Sequence, residues 1–355
     1  MNHLLITTLF LFTLVIPVMA QDEDPHAWLE DVENADALAW AEKHNEHTLS
    51  VLKSNPAFDE IHERLLQIYN DDRRIPYATI RGEHLYNFWQ DEEHERGIWR
   101  RTTIDEYEKE NPNWEILLDL DDLSEKDGEK WVYKGSECLY PDYRKCLVTL
   151  SRGGADAAEV REFDVDTKTF VADGFFVAEA KSSVSWMDEN TLYVGTDFGP
   201  GSLTTSGYPR IVKSWKRGTP IEEARTLLEG DSTDVGVFGY VVHRPERSYH
   251  FVLRVITFYD YAFFAVEGDE LIKIDLPSDA QPDLFMNQML VLLKSDWEVS
   301  GNTYPQGALI TIDYDRFLEG ERDFHVLIPP GERSSISSTA STHDLLLVNT
   351  LTNVV

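Results

Sequence analysis

A serine nucleophile of the hydrolase type sits on a strained strand-to-helix turn that accepts only small flanking residues, which is why it is written Gly-x-Ser-x-Gly. No serine in this chain meets that requirement. Gly230-Asp231-Ser232-Thr233-Asp234 fails at its last position, and Gly201-Ser202-Leu203 lacks the spacing and reads as a loop. The zinc pattern His-Glu-x-x-His sets two imidazoles on one helix face with a base between them, and His62-Glu63-Arg64-Leu65-Leu66 lacks the second imidazole. His44 and His47 stand three apart on an expected helix, spaced either to share a surface ion or to be solvated singly. The acidic run Asp119, Asp121, Asp122, Glu125, Asp127 and Glu129 lacks the alternating Asp positions followed by Gly that curl a calcium loop; it reads as a solvated connector. These patterns predict no catalytic side chain, no metal site and no cofactor.

The two cysteines, Cys138 and Cys146, flank the turn signal Pro141-Asp142. In an oxidising compartment a hairpin loop with an odd number of residues sets them face to face and allows a disulfide, whereas an even number leaves two free thiols on opposite faces. The stretch from Gly199 to Tyr208 is a long Gly/Ser/Thr loop without the Lys or third spaced Gly of phosphate-binding loops.

Two textures position these residues. After Asp24-Pro25-His26-Ala27-Trp28-Leu29-Glu30-Asp31, Asn34 is placed to cap a helix carrying Leu38, Ala41, Leu49 and Leu52. Asn55-Pro56 ends it and starts another, with Asn55 as cap, Pro56 in the first turn and Phe58, Ile61, Leu65 and Ile68 on one face. From about residue 74 the pattern becomes short strands between polar turns: His84–Trp89, Cys146–Leu150, Thr191–Val194, Tyr249–Leu253 and Asp344–Val348. In fours, such strands make units of about 40 to 50 residues, the size of a propeller blade, and about five fit before the last residue. Strand spacing alone leaves a sandwich or several smaller β-domains open.

The first twenty residues hold no charged side chain, and the apolar run Leu4 to Val18 closes on Val18-Met19-Ala20 before Gln21-Asp22-Glu23. This predicts a signal peptide cut between Ala20 and Gln21, and hence a periplasmic or secreted protein with no stable membrane span after cleavage. Only the α-amine and His3 precede the run as positive groups, so an uncleaved anchor is the alternative, although the run is short for a bilayer. The expected domains are 1–20 signal peptide, 21–73 helical segment and 74–355 propeller. With 64 acidic residues against 32 Lys and Arg the formal charge is −32, a field that repels phosphate backbones and excludes nucleic acid as a partner.

Asp24-Pro25-His26-Ala27-Trp28-Leu29-Glu30 resembles the Asp-Pro-aromatic-x-Trp-Leu-Glu opening of prolyl oligopeptidase-type serine peptidases, with His26 in the aromatic's place. Further blocks continue the resemblance in order: Tyr86-Asn87-Phe88-Trp89-Gln90-Asp91, His94 to Thr102, Pro141 to Arg144, Leu150 to Asp156, Arg161 to Asp164, Gly195 to Leu203 and Trp215 to Pro220. The resemblance implies an enzyme of two domains, an α/β-hydrolase capped by a seven-bladed propeller, which cleaves short peptides, typically after proline, with a Ser-His-Asp triad. In such enzymes the triad lies in a C-terminal segment beyond the last residue of this chain.

The expected fold is therefore mainly β: an incomplete propeller of about five of seven blades, preceded by a helical segment that belongs with the absent hydrolase domain. The chain alone is expected to be inactive, to meet short peptides only through that missing domain, and to self-associate through open propeller edges. Gly199, Gly201, Ser202 and Tyr208 are expected either to form a substrate-gate loop facing the hydrolase domain or to serve as a structural connector. Two other classes of function stay open: a stand-alone secreted propeller used for binding, and a non-serine hydrolase using the acidic residues.

Overall fold

The computed structural model describes residues 24–31, 34–71 and 73–353. The expected cleavage point, Ala20-Gln21, lies outside them. The chain divides into two units, Met1–Asp72 and Arg73–Val355.

In the first unit a short 3-10 turn, Ala27–Leu29, precedes α1 (Ala35–Lys53) and α2 (Phe58–Tyr69). The Asn34 side chain accepts the N–H groups of Asp36 and Ala37, satisfying two of the donors that a helix start leaves free. Asn55 does a different job from the one its position suggests. Its side chain accepts the Ala57 N–H and its carbonyl the Phe58 N–H, so residues 55–58 form a separate turn and α2 begins after Pro56. His44 is not available to an ion through Nδ1, which donates to the Trp40 carbonyl at 2.7 Å while the ring stacks on Trp40. Leu38, Trp40, Leu49 and Leu52 of α1, and Ile61, Leu65 and Ile68 of α2, are exposed.

The second unit is a series of antiparallel sheets, each built on four strands consecutive in the chain, with a fifth strand added to the second sheet and a hairpin inserted in the fifth. The first sheet is Thr79–Arg81, His84–Trp89, Ile98–Thr103 and Glu115–Asp119. The second is Trp131–Cys138, Lys145–Arg152, Ala158–Asp164 and Thr169–Phe170, with Phe176–Ala180 also paired to its third strand. Ser183–Asp188, Thr191–Gly195, Ile211–Lys216 and Arg225–Glu229 form the third. The fourth is Gly236–His243, Ser248–Val255, Tyr261–Glu267 and Glu270–Ile274. The fifth is Gln281–Phe285, Gln288–Leu292, Leu309–Asp313 and His325–Ile328, with the hairpin Trp297–Val299/Asn302–Tyr304 inserted after its second strand. A two-stranded hairpin follows, Ser334–Ser341 and Leu346–Thr352; Leu345 belongs to its turn, where its N–H donates to Thr342.

Period-2 alternation explains why the sheets stack face to face. On the second strand of the second sheet, Cys146, Val148 and Leu150 point into a core shared with Tyr86, Trp99 and Leu117 of the first sheet. Leu147, between them, points the other way, into a core with Trp186, Leu192 and Trp215 of the third. The pattern repeats: Tyr193 and Val212 meet Val237 and Val252, and Tyr249 and Phe251 meet Met289, Val291 and Ile310. Each such side chain contributes about 1.5–3 kcal/mol when fully buried. The first strands of successive sheets lie side by side, 131–138 against 183–188 and 183–188 against 236–243, which is the arrangement of propeller blades around an axis. Gly239, on one of these inner strands, lies so close to the Tyr193 ring that a Cβ there would sit 2.5 Å from it.

The acidic run after the first sheet is not a loop. Leu120–Asp127 is a helix whose N-cap, Asp119, accepts the N–H groups of Asp121 and Asp122, and whose Leu120 and Leu123 are buried in the first core. Asp121 and Asp122 fall in its first turn, where carboxylates are favoured. Among the described residues no group of three or more His, Cys, Asp or Glu is placed to hold a metal ion.

Candidate functional site

In an antiparallel meander the first and second connections of each sheet emerge at opposite ends of its second strand, so every blade contributes to two rims. Both carry residues singled out by the sequence.

The rim built on the second connections contains the Gly199–Tyr208 loop, which joins Thr191–Gly195 to Ile211–Lys216. Gly199 and Gly201 have φ of 102° and 82°, a region open to glycine and costly for other residues. Ser202, directly after Gly201, is 4% exposed. Its hydroxyl accepts the Phe198 N–H at 2.8 Å and donates to the Gly199 carbonyl at 2.6 Å, with Asp197 Oδ1 at 3.1 Å. With no imidazole among its partners, it holds the turn together and is not poised as a nucleophile. Arg210 anchors the loop's base, donating to the carbonyls of Gly201 (2.7 Å) and Gly230 (3.0 Å). The Thr205 N–H donates to the Ser232 carbonyl at 2.8 Å, tying the loop to the residues that lead into the fourth sheet. Ser232, the other serine near an elbow pattern, is thus part of this connector.

Tyr208 is the loop's exposed aromatic residue. Lys181 lies 4.9 Å from its ring centre and also reaches the Ser206 carbonyl (3.2 Å) and Asp156 (3.5 Å) on the neighbouring blade's connection. On the fourth sheet the corresponding connection presents Phe258 and Tyr259, 77% and 80% exposed, on a turn fixed by Thr257, Asp260 and Ser278. Sequence reasoning passed over this aromatic pair. Its signal was two adjacent large rings in Thr257-Phe258-Tyr259-Asp260, a turn where small polar residues are usual. The rim offers aromatic faces and backbone groups to a ligand.

The opposite rim contains a cleft of about 410 Å³ lined by Tyr140, Pro141, Asp142, Met187, Asp188 and His243 among others. Tyr140 stacks on His243 with ring centres 4.4 Å apart. Burial, with His250 adding to it, lowers the His243 pKa and favours the neutral imidazole. Its Nδ1 meets the Ser248 hydroxyl at 2.7 Å, a contact between directly opposed cross-strand residues. Cys138 and Cys146 are opposed in the same way on the second sheet, with the seven-residue loop 139–145 between them, and a disulfide joins them. Arg81 of the first sheet reaches across to this bridge, donating to Cys138 Sγ at 3.1 Å and to the Ser136 carbonyl at 2.7 Å.

The structure thus puts Gly199, Gly201, Ser202 and Tyr208 on one rim and the cysteines on the other, and assembles neither set into a nucleophile with base and oxyanion donors. Comparison with known proteins agrees with a domain of this kind. Residues 18–355 match the family model of the prolyl oligopeptidase N-terminal β-propeller domain. The chain is 35% identical over 345 residues to the peptidase y4nA of Sinorhizobium fredii and 31% identical over 346 residues to the peptidase RP174 of Rickettsia prowazekii, covering 93% and 92% of this chain but 47% and 48% of theirs. Among solved structures, a post-proline cleaving enzyme from Rickettsia typhi superposes with a TM-score of 0.86 at 30% identity, over 92% of this chain and 50% of that one. The chain spans about half the length of these relatives, and it belongs to the prolyl oligopeptidase family, as an N-terminal β-propeller domain.

Proposed function

We propose that the chain is the propeller portion of a periplasmic or secreted serine peptidase acting on short proline-containing peptides, and that the propeller restricts which peptides reach the catalytic centre. The family match supports the peptidase part of this reading, and the apolar run Leu4 to Val18 suggests the location. In it, the triad belongs to the part of the relatives that this chain does not span, and the exposed apolar residues of α1 and α2 are the surface that receives a hydrolase domain. The rim bearing Tyr208, Phe258 and Tyr259 serves as the substrate entrance, since aromatic faces suit prolyl rings and peptide backbones. The Gly199–Tyr208 loop shapes that entrance while Ser202 keeps it closed on itself.

The purified chain should hydrolyse no proline-containing chromogenic peptide and take no label from a serine-reactive phosphonate, because in this reading the triad and its oxyanion donors belong to the part of the relatives that the chain does not span. Stoichiometric labelling of any serine would overturn the proposal.

A further inference from the structure

The two sulfurs of the bridge sit in unlike surroundings. Cys146 is completely buried in the core between the first and second sheets, against Val148, Leu150 and Phe163, and its sulfur's polar neighbour is the Tyr143 carbonyl at 3.7 Å. Cys138 is partly exposed at the edge of that core, with the Arg81 guanidinium against its sulfur. A carbonyl discourages a thiolate; a guanidinium stabilises one.

We propose that Cys138 is a thiol-modification site: once an external thiol opens the disulfide, Arg81 holds Cys138 as a thiolate that reacts with soft electrophiles and small-molecule disulfides, while Cys146 stays a protonated core residue. Opening consumes two small thiols and yields their disulfide and two protein thiols. Modification then proceeds by attack of the Cys138 thiolate on one sulfur of a small disulfide, forming the mixed disulfide and releasing the other half as thiolate.

Arg81 stays in place through these steps because its hold does not depend on the bridge. Its two terminal nitrogens donate to the Ser136 hydroxyl (3.1 Å) and the Ser136 carbonyl (2.7 Å), and the guanidinium lies over the Tyr86 ring. The titratable groups facing it are Tyr86, Tyr133, Tyr143 and Glu137. Tyr133 is uncharged at neutral pH, burial having pushed its pKa up to about 12. The Glu137 carboxylate is engaged elsewhere, accepting the Ser185 hydroxyl at 2.7 Å and the Trp186 N–H at 2.9 Å. Glu137 acts on the guanidinium only through space, and the hydrogen bonds of Arg81 go to Ser136 and the Cys138 sulfur. Modification at Cys138 adds bulk at the root of the 139–145 loop, whose Tyr140 stacks on His243 in the cleft.

The test is alkylation by iodoacetamide, followed by mass spectrometry on the full chain. In the reduced wild type at pH 7, Cys138 should be labelled more than about tenfold faster than Cys146. In the Cys146→Ser chain, the rate should titrate with a midpoint at least about one pH unit below the ordinary ~8.5 of a thiol. Arg81→Gln should raise that midpoint and slow labelling at pH 7 about tenfold, and Arg81→Lys should retain most of the rate. Equal labelling of the two cysteines in the wild type, which needs no substitution at Arg81, overturns the proposal, as does an ordinary midpoint or one that Arg81→Gln leaves unmoved.

Discussion

Ser202 shows how a residue type can suggest chemistry while its surroundings assign it to architecture. Its sequence neighbours already argued against an elbow; what they did not reveal is that the hydroxyl is buried and serves both as acceptor and donor within its own turn. Ser202→Ala should destabilise the chain by about 1–3 kcal/mol, the cost of leaving the partly buried Phe198 N–H without its acceptor. Urea unfolding measures this, and an unchanged midpoint would show the hydroxyl to be dispensable. The cysteine pair was half legible. The turn signal between them can be read directly, but the odd count does not decide facing, since His243 and Ser248 are opposed across an even one; facing requires the strands to be in register, and register is set by the cores on either side of the sheet. Arg81 could not have been linked to Cys138 from sequence at all, being 57 residues away and on another sheet.

At the scale of elements, the strands were read well because alternation between two packed faces leaves a plain signal, as at residues 145–152. The helix Leu120–Asp127 was missed because its acids were read as solvated charge. Leu120 and Leu123 at helical spacing, with Asp119 before them, carried the opposite message. Asp119→Ala should cost about 0.5–2 kcal/mol through loss of the cap. The loss should appear in the urea midpoint, and Asp119→Asn should recover most of it, since the amide oxygen can still accept. The start of α2 was misplaced for a related reason: Asn55 and Pro56 favour both a cap and a turn, and the local hydrogen bonds, not the residue types, decide between them.

For the whole molecule, the ordered blocks of family resemblance identified the architecture that strand spacing alone left open. Charge then sets its response to acid. Burial pushes the Asp127 carboxyl up, but hydrogen bonds from Arg161 and Trp131 outweigh it and hold the group below its usual value; Asp164 is likewise held low against burial by the Thr167 N–H and Arg144. Folded pKa values below unfolded ones mean that the unfolded chain takes up protons first. Their stabilisation is thus intact above the unfolded values of ~3.9 and lost as pH falls through the folded ones. The urea midpoint should decline below about pH 4, and a flat profile from pH 5 to 3 would contradict these assignments. The exposed Leu345, Leu347 and Leu351 of the last hairpin should promote self-association, seen as a rising scattering mass with concentration; Leu347→Lys with Leu351→Lys should reduce it. Gly239 has a consequence of another kind. Sheets arranged about an axis act as wedges, and the angle each one subtends depends on how much closer their inner edges come than their outer ones. Where Gly239 meets Tyr193, the inner strand of one wedge approaches the second strand of its neighbour to a distance that one added carbon would forbid. The spacing of these two wedges is held at that point by an atom the residue does not have.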